Sequence, residues 1–217
     1  MICVVCKTKM DRLVEDLHEC PKCCLVTSDL KPDPMIYNAE YYEKYKKYAK
    51  TQLGKDINQA RWDFVMDHID GGLLLDYGCG AGHFLQMNPN GTFMVQGYDI
   101  NPASIYSYME PLKDITYQGI TFWDVLEHMR DPLDGLLKYK AEWVFMTVPN
   151  FVNVPDDVKK FKHYWPREHT HQFREESLVY LLEKVGFSVV SITDIEGRLR
   201  SPENPEWLMT VAAKKGA

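Results

Sequence analysis

Four cysteines near the start of the chain fall in two close pairs, Cys3 with Cys6 and Cys20 with Cys23, with thirteen residues between the pairs. Two such knuckles can bring four thiolates to one tetrahedral zinc ion, the arrangement of a zinc ribbon. Four thiolates leave no open position for water, so the expected role is structural. The other reading of paired cysteines, two disulfides in a small secreted fold, needs a secretory context. The opening stretch "MICVVCKTKMDR" is too short and too polar for a signal peptide. Cys24, directly after the second pair, and Cys79 are read as small packed residues rather than metal ligands.

A second constellation is "LLLDYGCGAGHFL" (73–85), an apolar run that stops at Asp76 and turns over Gly78, Gly80 and Gly82. A turn without Cβ atoms at the start of a helix lets a polar ligand lie against backbone N–H groups. "VQGYDI" (95–100) reads as the next strand and ends in Asp99, twenty-one residues after Gly78. An acid there can accept both hydroxyls of a ribose. Nicotinamide or flavin sites favour G-x-G-x-x-G, whose third glycine would fall where His83 stands. The pattern present is D-x-G-x-G-x-G.

The third constellation lies at 163–173, where His163, His169 and His171 accompany Tyr164, Trp165, Arg167 and Glu168. A histidine near its ordinary pKa suits proton removal at neutral pH, and Glu168 could orient the His169 imidazole or raise its basicity. Hydrogen bonding within the loop is the bland alternative. A metal on His163, His169 and His171 is a further one, with no neighbouring acid pattern to support it.

These groups need elements to hold them. Ile57, Ala60, Phe64, Val65 and Ile69 follow helical spacing over 57–69, and Gly71-Gly72 ends that helix. "KPDP" (31–34) reads as a linker, and "YYEKYKKYAK" (41–50) as an amphipathic helix with a solvated lysine face. Strands are expected at 72–76 and 95–100. Leu178, Leu181, Leu182 and Val185 share one helix face, with Gly186 as its C-cap. Asp131-Pro132 reads as an N-cap and first helical residue.

The chain has 217 residues, 45% hydrophobic and 26% charged, which suits one full domain with a small appendage. Its net charge of −6 disfavours broad phosphate-backbone binding. The acid excess lies beyond residue 60. No apolar run reaches the length of a membrane span, so no membrane partner is expected and a cytoplasmic location is the default.

The acid-plus-glycine pattern with its second acid resembles the first motif of class I S-adenosylmethionine-dependent methyltransferases. The resemblance extends to "ITFWDVLEHMRDP" (120–132) as a fourth strand and its loop, to a fifth strand at 143–150, and to "HYWPREHTHQFREESLVYLLEKVGFSVV" (163–190) as a lid loop, last helix and sixth strand, and it implies a closing strand in "WLMTVAAKK" from Trp207 onward. It looks closest to zinc-ribbon-bearing enzymes that modify sugars and surface polysaccharides. It implies an α/β, Rossmann-like class I methyltransferase domain, a compact variant at 35–217 that includes lead-in helices 37–69, behind a small zinc ribbon at 1–34. S-adenosylmethionine would be held by Asp76, Gly78, Cys79, Gly80, Gly82, Asp99, Ile100, Trp123 and Asp124. Its amino-acid end would lie at the turn and its ribose on Asp99.

The E-H-x-x-x-F pattern of Glu168, His169 and Phe173 resembles one whose histidine is the catalytic base, which implies that role for His169. His128 borders the same pocket in the family, as cofactor or loop packing or as a second proton-transfer candidate. The acceptor implied is a small molecule or glycan. Two rivals are a nucleic-acid base docked by the ribbon and the Tyr/Lys helix, and a non-catalytic binding module. Only twenty-four residues separate Asp99 from Asp124, where the family fits a helix, a strand and another helix. Weak cofactor binding, or help from a second subunit in a homo-oligomer, is therefore expected.

Overall fold

The structure, a computed structural model, describes residues 1–33, 35–154, 157–203 and 208–216. Pro34 of the expected linker and Trp207 at the head of the expected closing strand lie outside the described residues.

The first 30 residues form the expected small β unit. Strands β1 (Asp11–Arg12), β2 (Leu17–Glu19) and β3 (Val26–Ser28) run as an antiparallel meander. Each cysteine pair closes a tight knuckle whose following residue takes a left-handed backbone: Lys7 at φ 61° and Cys24 at φ 57°. The Lys7 N–H donates to the Cys3 carbonyl and the Cys24 N–H to the Cys20 carbonyl. Cys24 thus has the role of a turn residue and not of a ligand.

Two helices follow. α1 (Ala39–Ala49) starts at Asn38, whose side chain accepts the Tyr41 N–H, and α2 (Gln52–Met66) starts at Thr51, which accepts the Gly54 N–H. Side-chain acceptors of this kind satisfy N–H groups that have no partner inside the helix. Gly54 is required by the sharp joint between them, since a Cβ there would lie 2.5 Å from the Tyr48 carbonyl oxygen.

The remaining chain alternates strands and helices: β4 (Gly72–Tyr77), α3 (His83–Gln86), β5 (Phe93–Tyr98), β6 (Thr116–Trp123), α4 (Pro132–Leu137) and β7 (Lys140–Pro149). Then come β8 (His171–Gln172), α5 (Glu175–Lys184), β9 (Phe187–Thr193), α6 (Gly197–Arg200) and β10 (Leu208–Lys215). The large sheet has the order β5-β4-β6-β7-β10-β9. β4, β5, β6 and β7 are parallel, and β10 runs antiparallel to both its neighbours.

Central strands buried on both faces read as continuous apolar runs. The two-residue period then sorts their side chains. Leu75, Val144, Met146 and Val148 face one core with α5 and the ribbon residues Cys3, Val5 and Leu25. Leu74, Trp143 and Phe145 face the other, with Trp62, Phe64 and Val65 of α2. The expected cap at Asp131 is present, its side chain accepting the Leu133 and Asp134 N–H groups. Gly186 takes φ +83° after α5. At the head of α5 no Ser or Thr stands at the cap; the Ser177 hydroxyl accepts the Arg174 N–H in its place.

One feature was outside the expectations. The two-residue strand β8 leaves the large sheet's domain and pairs antiparallel with β3, so the ribbon sheet is completed by the histidine loop. The short span noted after Asp99 has no strand of its own: β6 is the next strand after β5, and the segment between them holds only a 3-10 turn, Ile105–Tyr108.

Candidate active site

β4 has β5 on one side and β6 on the other, so the connections leaving its C-terminal end diverge and open a crevice there. The three glycines of the turn have φ of +87°, +54° and +73° at Gly78, Gly80 and Gly82, a region L side chains rarely adopt. A Cβ on Gly78 would sit 2.4 Å from a Val125 methyl, while one on Gly80 would meet nothing within 4 Å, because Gly80 faces the open cleft. The Gly78 and Cys79 N–H groups donate to the Tyr98 carbonyl, which pins the turn to β5.

Asp99 lies just past β5. One carboxylate oxygen accepts the Gly80 N–H at 2.7 Å and the other the Asn101 N–H at 2.7 Å. The acid expected to take ribose hydroxyls therefore also holds the glycine turn, and each oxygen keeps further acceptor capacity. Ile100 borders the cleft with its side chain 78% exposed. Asp76 is buried and accepts the Thr121 hydroxyl at 2.6 Å.

Burial lifts the Asp76 pKa to about 7, against the pull of Thr121 and Arg61. Because this folded-state value lies above the unfolded one near 4, ionising Asp76 costs stability as pH rises from about 4 through 7 and costs nothing below that window. Asp76→Asn is therefore expected to stabilise the ligand-free protein at pH 8, by roughly 4 kcal/mol at most, and to leave it unchanged at pH 4. Urea unfolding at the two pH values checks this; equal stability at pH 8 would contradict it.

At the end of β6, Asp124 has φ 55° and its N–H reaches the Thr147 carbonyl. Its carboxylate accepts from Arg61 at 2.6 Å and from Arg200 at 2.6 Å. Glu196, fully buried, accepts from Arg61 Nε at 2.7 Å, Arg200 Nε at 2.9 Å and the Thr147 hydroxyl at 3.1 Å. Two guanidinium groups and two carboxylates thus neutralise one another along one wall of the cleft. Burial alone would raise the Asp124 pKa, but Arg200 and Arg61 outweigh it and hold the carboxyl well below its usual range. Trp123, beneath the Arg61 guanidinium at 5.1 Å, lines the cleft with its indole N–H buried and unpartnered.

The opposite corner gathers Glu127, His128, Glu168 and His169. The two imidazoles meet edge to face with centroids 4.7 Å apart. His128 Nδ1 lies 3.1 Å from the Glu168 carbonyl and 3.0 Å from the Tyr37 hydroxyl, and His169 Nδ1 lies 3.0 Å from the His163 carbonyl. Burial, with His128 and His163 nearby, lowers the His169 pKa to about 3, so the ring is neutral at physiological pH. Glu168 does not orient His169 with its carboxylate, which accepts the Tyr41 hydroxyl at 3.0 Å instead. His171 is turned away from the cleft: its Nδ1 meets Thr27 of the ribbon at 3.0 Å and its Nε2 the Arg130 carbonyl. Glu127 is buried, one of its carboxylate oxygens has no partner, and burial raises its pKa well above normal.

Tyr37 and, on α1, Tyr41, Tyr45 and Tyr48 close the remaining side of a cavity of about 570 Å³. The helix expected to show solvent its lysines thus turns an aromatic face inward; Lys44 and Lys46 border the same cavity. That volume fits a nucleoside cofactor together with part of a small acceptor. Arg61, Arg200 and Glu196 were not found from sequence. Arg61 carried a signal, since it sits four residues from both Ile57 and Val65 and so falls on the apolar stripe of its helix. Arg200 carried none.

In the ribbon, Cys3, Cys6, Cys20 and Cys23 bring their sulfurs within 4.8 Å of one another. The Cys3–Cys23 and Cys6–Cys20 sulfurs are 3.5 and 3.3 Å apart, and all are free thiols. Ligands on a tetrahedral zinc thiolate site are roughly 3.8 Å apart, so the four sulfurs fit one ion. Cys3 and Cys23 share one hydrogen bond, which favours the thiolate on Cys3 and the thiol on Cys23.

Solved structures of similar fold include three methyltransferases. Magnesium protoporphyrin IX methyltransferase from Synechocystis PCC 6803, with bound SAH, is 16% identical, covers 83% of this chain and 97% of its own, and has a TM-score of 0.59. Burkholderia thailandensis 1,6-didemethyltoxoflavin-N1-methyltransferase, with its acceptor and S-adenosylhomocysteine bound, is 13% identical, covers 97% and 100%, and has a TM-score of 0.56. A SAM-dependent methyltransferase from Archaeoglobus fulgidus is 17% identical, covers 81% and 100%, and has a TM-score of 0.58. No curated protein sequence matches the chain. A family model described as a methyltransferase domain matches residues 45–192, two thirds of the sequence, and the chain belongs to that family.

Proposed function

We propose that the protein transfers the methyl group of S-adenosylmethionine to a hydroxyl-bearing small molecule. The observation that carries the cofactor is the Asp99 carboxylate clamped to the Gly80 N–H beside an open, Cβ-free cleft. The ribose hydroxyls would bond Asp99, the amino-acid end would lie over Asp76 and Gly78, and the Trp123 side chain would border the ligand. Bound there, the cofactor supplies an electrophilic methyl. The chain's own part is to align it with the acceptor and to exclude water.

The acceptor class is read from the wall of tyrosines. Tyr37, Tyr41 and Tyr45 offer flat apolar faces with hydroxyl tips, which suits a planar phenol or enol. Proteins of similar structure named for magnesium protoporphyrin IX and for 1,6-didemethyltoxoflavin support a ring-bearing acceptor. We also assign one structural zinc to the four ribbon cysteines.

Incubation with methyl-labelled cofactor and three acceptor panels tests the reading. Label is expected in planar phenols or enols, and none with Gly80→Val, whose side chain fills the cradle. Label confined to oligosaccharides or to mixed-sequence oligonucleotides would overturn the acceptor class.

A further inference from the structure

We propose that Glu127, His128 and His169 hold a divalent cation in the cleft, and that this cation takes the acceptor's oxygen. The inference rests on the methyltransferase reading and changes the role of His169 from base to metal ligand.

The three side chains bring one ligand atom each within 4.8 Å of the others. Ligands around a four-coordinate zinc-sized ion are roughly 3.4 Å apart, so closing on an ion needs about 1.4 Å at most. The tautomers favour it. A backbone carbonyl can only accept, so the short contacts of His128 Nδ1 to the Glu168 carbonyl and of His169 Nδ1 to the His163 carbonyl put a proton on each Nδ1. Each neutral ring is then left with its lone pair on Nε2. A carbonyl on the far nitrogen of each imidazole is the arrangement that orients metal-bound histidines.

Glu127 completes the set. Its Oε1 lies 3.9 Å from His128 Nε2, and its Oε2 is buried without any partner although the residue lines the cleft. Two imidazole lone pairs and a buried carboxyl group therefore meet at one point of the cleft, a set that a cation satisfies as the Glu127 carboxyl gives up its proton. Asp124, the next acid along the loop, is engaged by Arg61 and Arg200 and is not a ligand here.

Two nitrogens and one oxygen suit a first-row divalent ion such as zinc, cobalt or manganese, and three protein ligands leave positions open. An acceptor hydroxyl bound at an open position acidifies and gives its proton to bulk water at the cleft mouth. Its oxygen lone pair then forms the bond to the methyl carbon. The carbon–sulfur bond breaks with its electrons returning to sulfur, leaving the demethylated cofactor.

The test uses full-length protein carrying a single equivalent of zinc, enough for the ribbon cysteines alone, titrated with Co2+. Visible d–d absorption without a sulfur charge-transfer band should report one equivalent bound outside the ribbon. Glu127→Gln and His169→Gln should each weaken that binding at least tenfold while S-adenosylhomocysteine still binds. X-ray absorption at the cobalt edge of the wild type, which needs no variant to fold, should show two imidazoles, oxygen and no sulfur. Wild type that binds S-adenosylhomocysteine but no second ion, affinity untouched by both variants, or cobalt ligated by sulfur alone would each overturn the cation. Loss of S-adenosylhomocysteine binding by the wild type would instead overturn the methyltransferase reading.

Discussion

Cys20→Ser is expected to abolish methyl transfer although Cys20 lies outside the cleft. A structural zinc contributes about 10–16 kcal/mol of apparent binding energy in small zinc modules, comparable to the whole stability of a domain, about 5–15 kcal/mol. Losing a thiolate should therefore unfold the ribbon. What the ribbon holds is the histidine loop. β3 pairs with β8, two residues beyond His169, and Thr27 meets His171. Asp16 accepts the Tyr164 hydroxyl at 2.6 Å, and Glu19 pairs with Arg174 at the head of α5. Cys3, Val5 and Leu25 share a core with Phe173 and Leu178. Amide exchange should quicken across 163–173 in Cys20→Ser, while the glycine turn, pinned to β5 by the Tyr98 carbonyl, keeps its affinity for S-adenosylhomocysteine. Unchanged exchange in that loop would separate the ribbon from the site.

The second large effect is expected at Arg61. Removing one partner of a buried ion pair costs about 3–5 kcal/mol, because the other charges stay behind without compensation. Arg61→Ala leaves Asp124 and Glu196 sharing Arg200 alone. With a Tm change of about 2–4 °C per kcal/mol for a chain of this size, melting should fall by roughly 10 °C. Arg61→Lys should rescue little, since an ammonium cannot reach both carboxylates with the guanidinium fork. The pH dependence follows from Asp124. Its folded pKa is depressed, so its contribution is fully present above the unfolded value near 4 and is lost as pH falls below it. Acid unfolding should accordingly start at higher pH in Arg61→Ala. A melting temperature and acid midpoint equal to wild type would show that the network does not support the cleft.

Local features were legible and long-range ones were not. Cys3, Cys6, Cys20 and Cys23 announce themselves by spacing, because each knuckle closes within four residues. Asp76, the three glycines and Asp99 are legible because a parallel strand must end where its ligand begins. The shortened span between Asp99 and Asp124 was countable, and its cause is one strand fewer than expected beyond β5. The β3–β8 pairing was not legible, since a two-residue strand has no pattern of its own and joins residues far apart in the chain. The tyrosines of α1 were read as a helix face, but sequence could not say which face met the cleft. Glu168, the partner of Tyr41, and His128, the partner of Tyr37 just before α1, come from two distant loops. Glu127, one letter within the stretch 120–132, stands out only through the burial of its unpartnered oxygen.

The most direct measurement is titration calorimetry with S-adenosylhomocysteine. One site per chain is expected for the wild type. Asp99→Ala removes a carboxylate that both holds the Gly80 N–H and receives the ribose. It should weaken binding by about ten- to a hundredfold, the scale of about 1.5–3 kcal/mol for charge-assisted hydrogen bonds. No heat from the wild type under conditions where it is folded, or an Asp99→Ala affinity equal to wild type, would contradict the account.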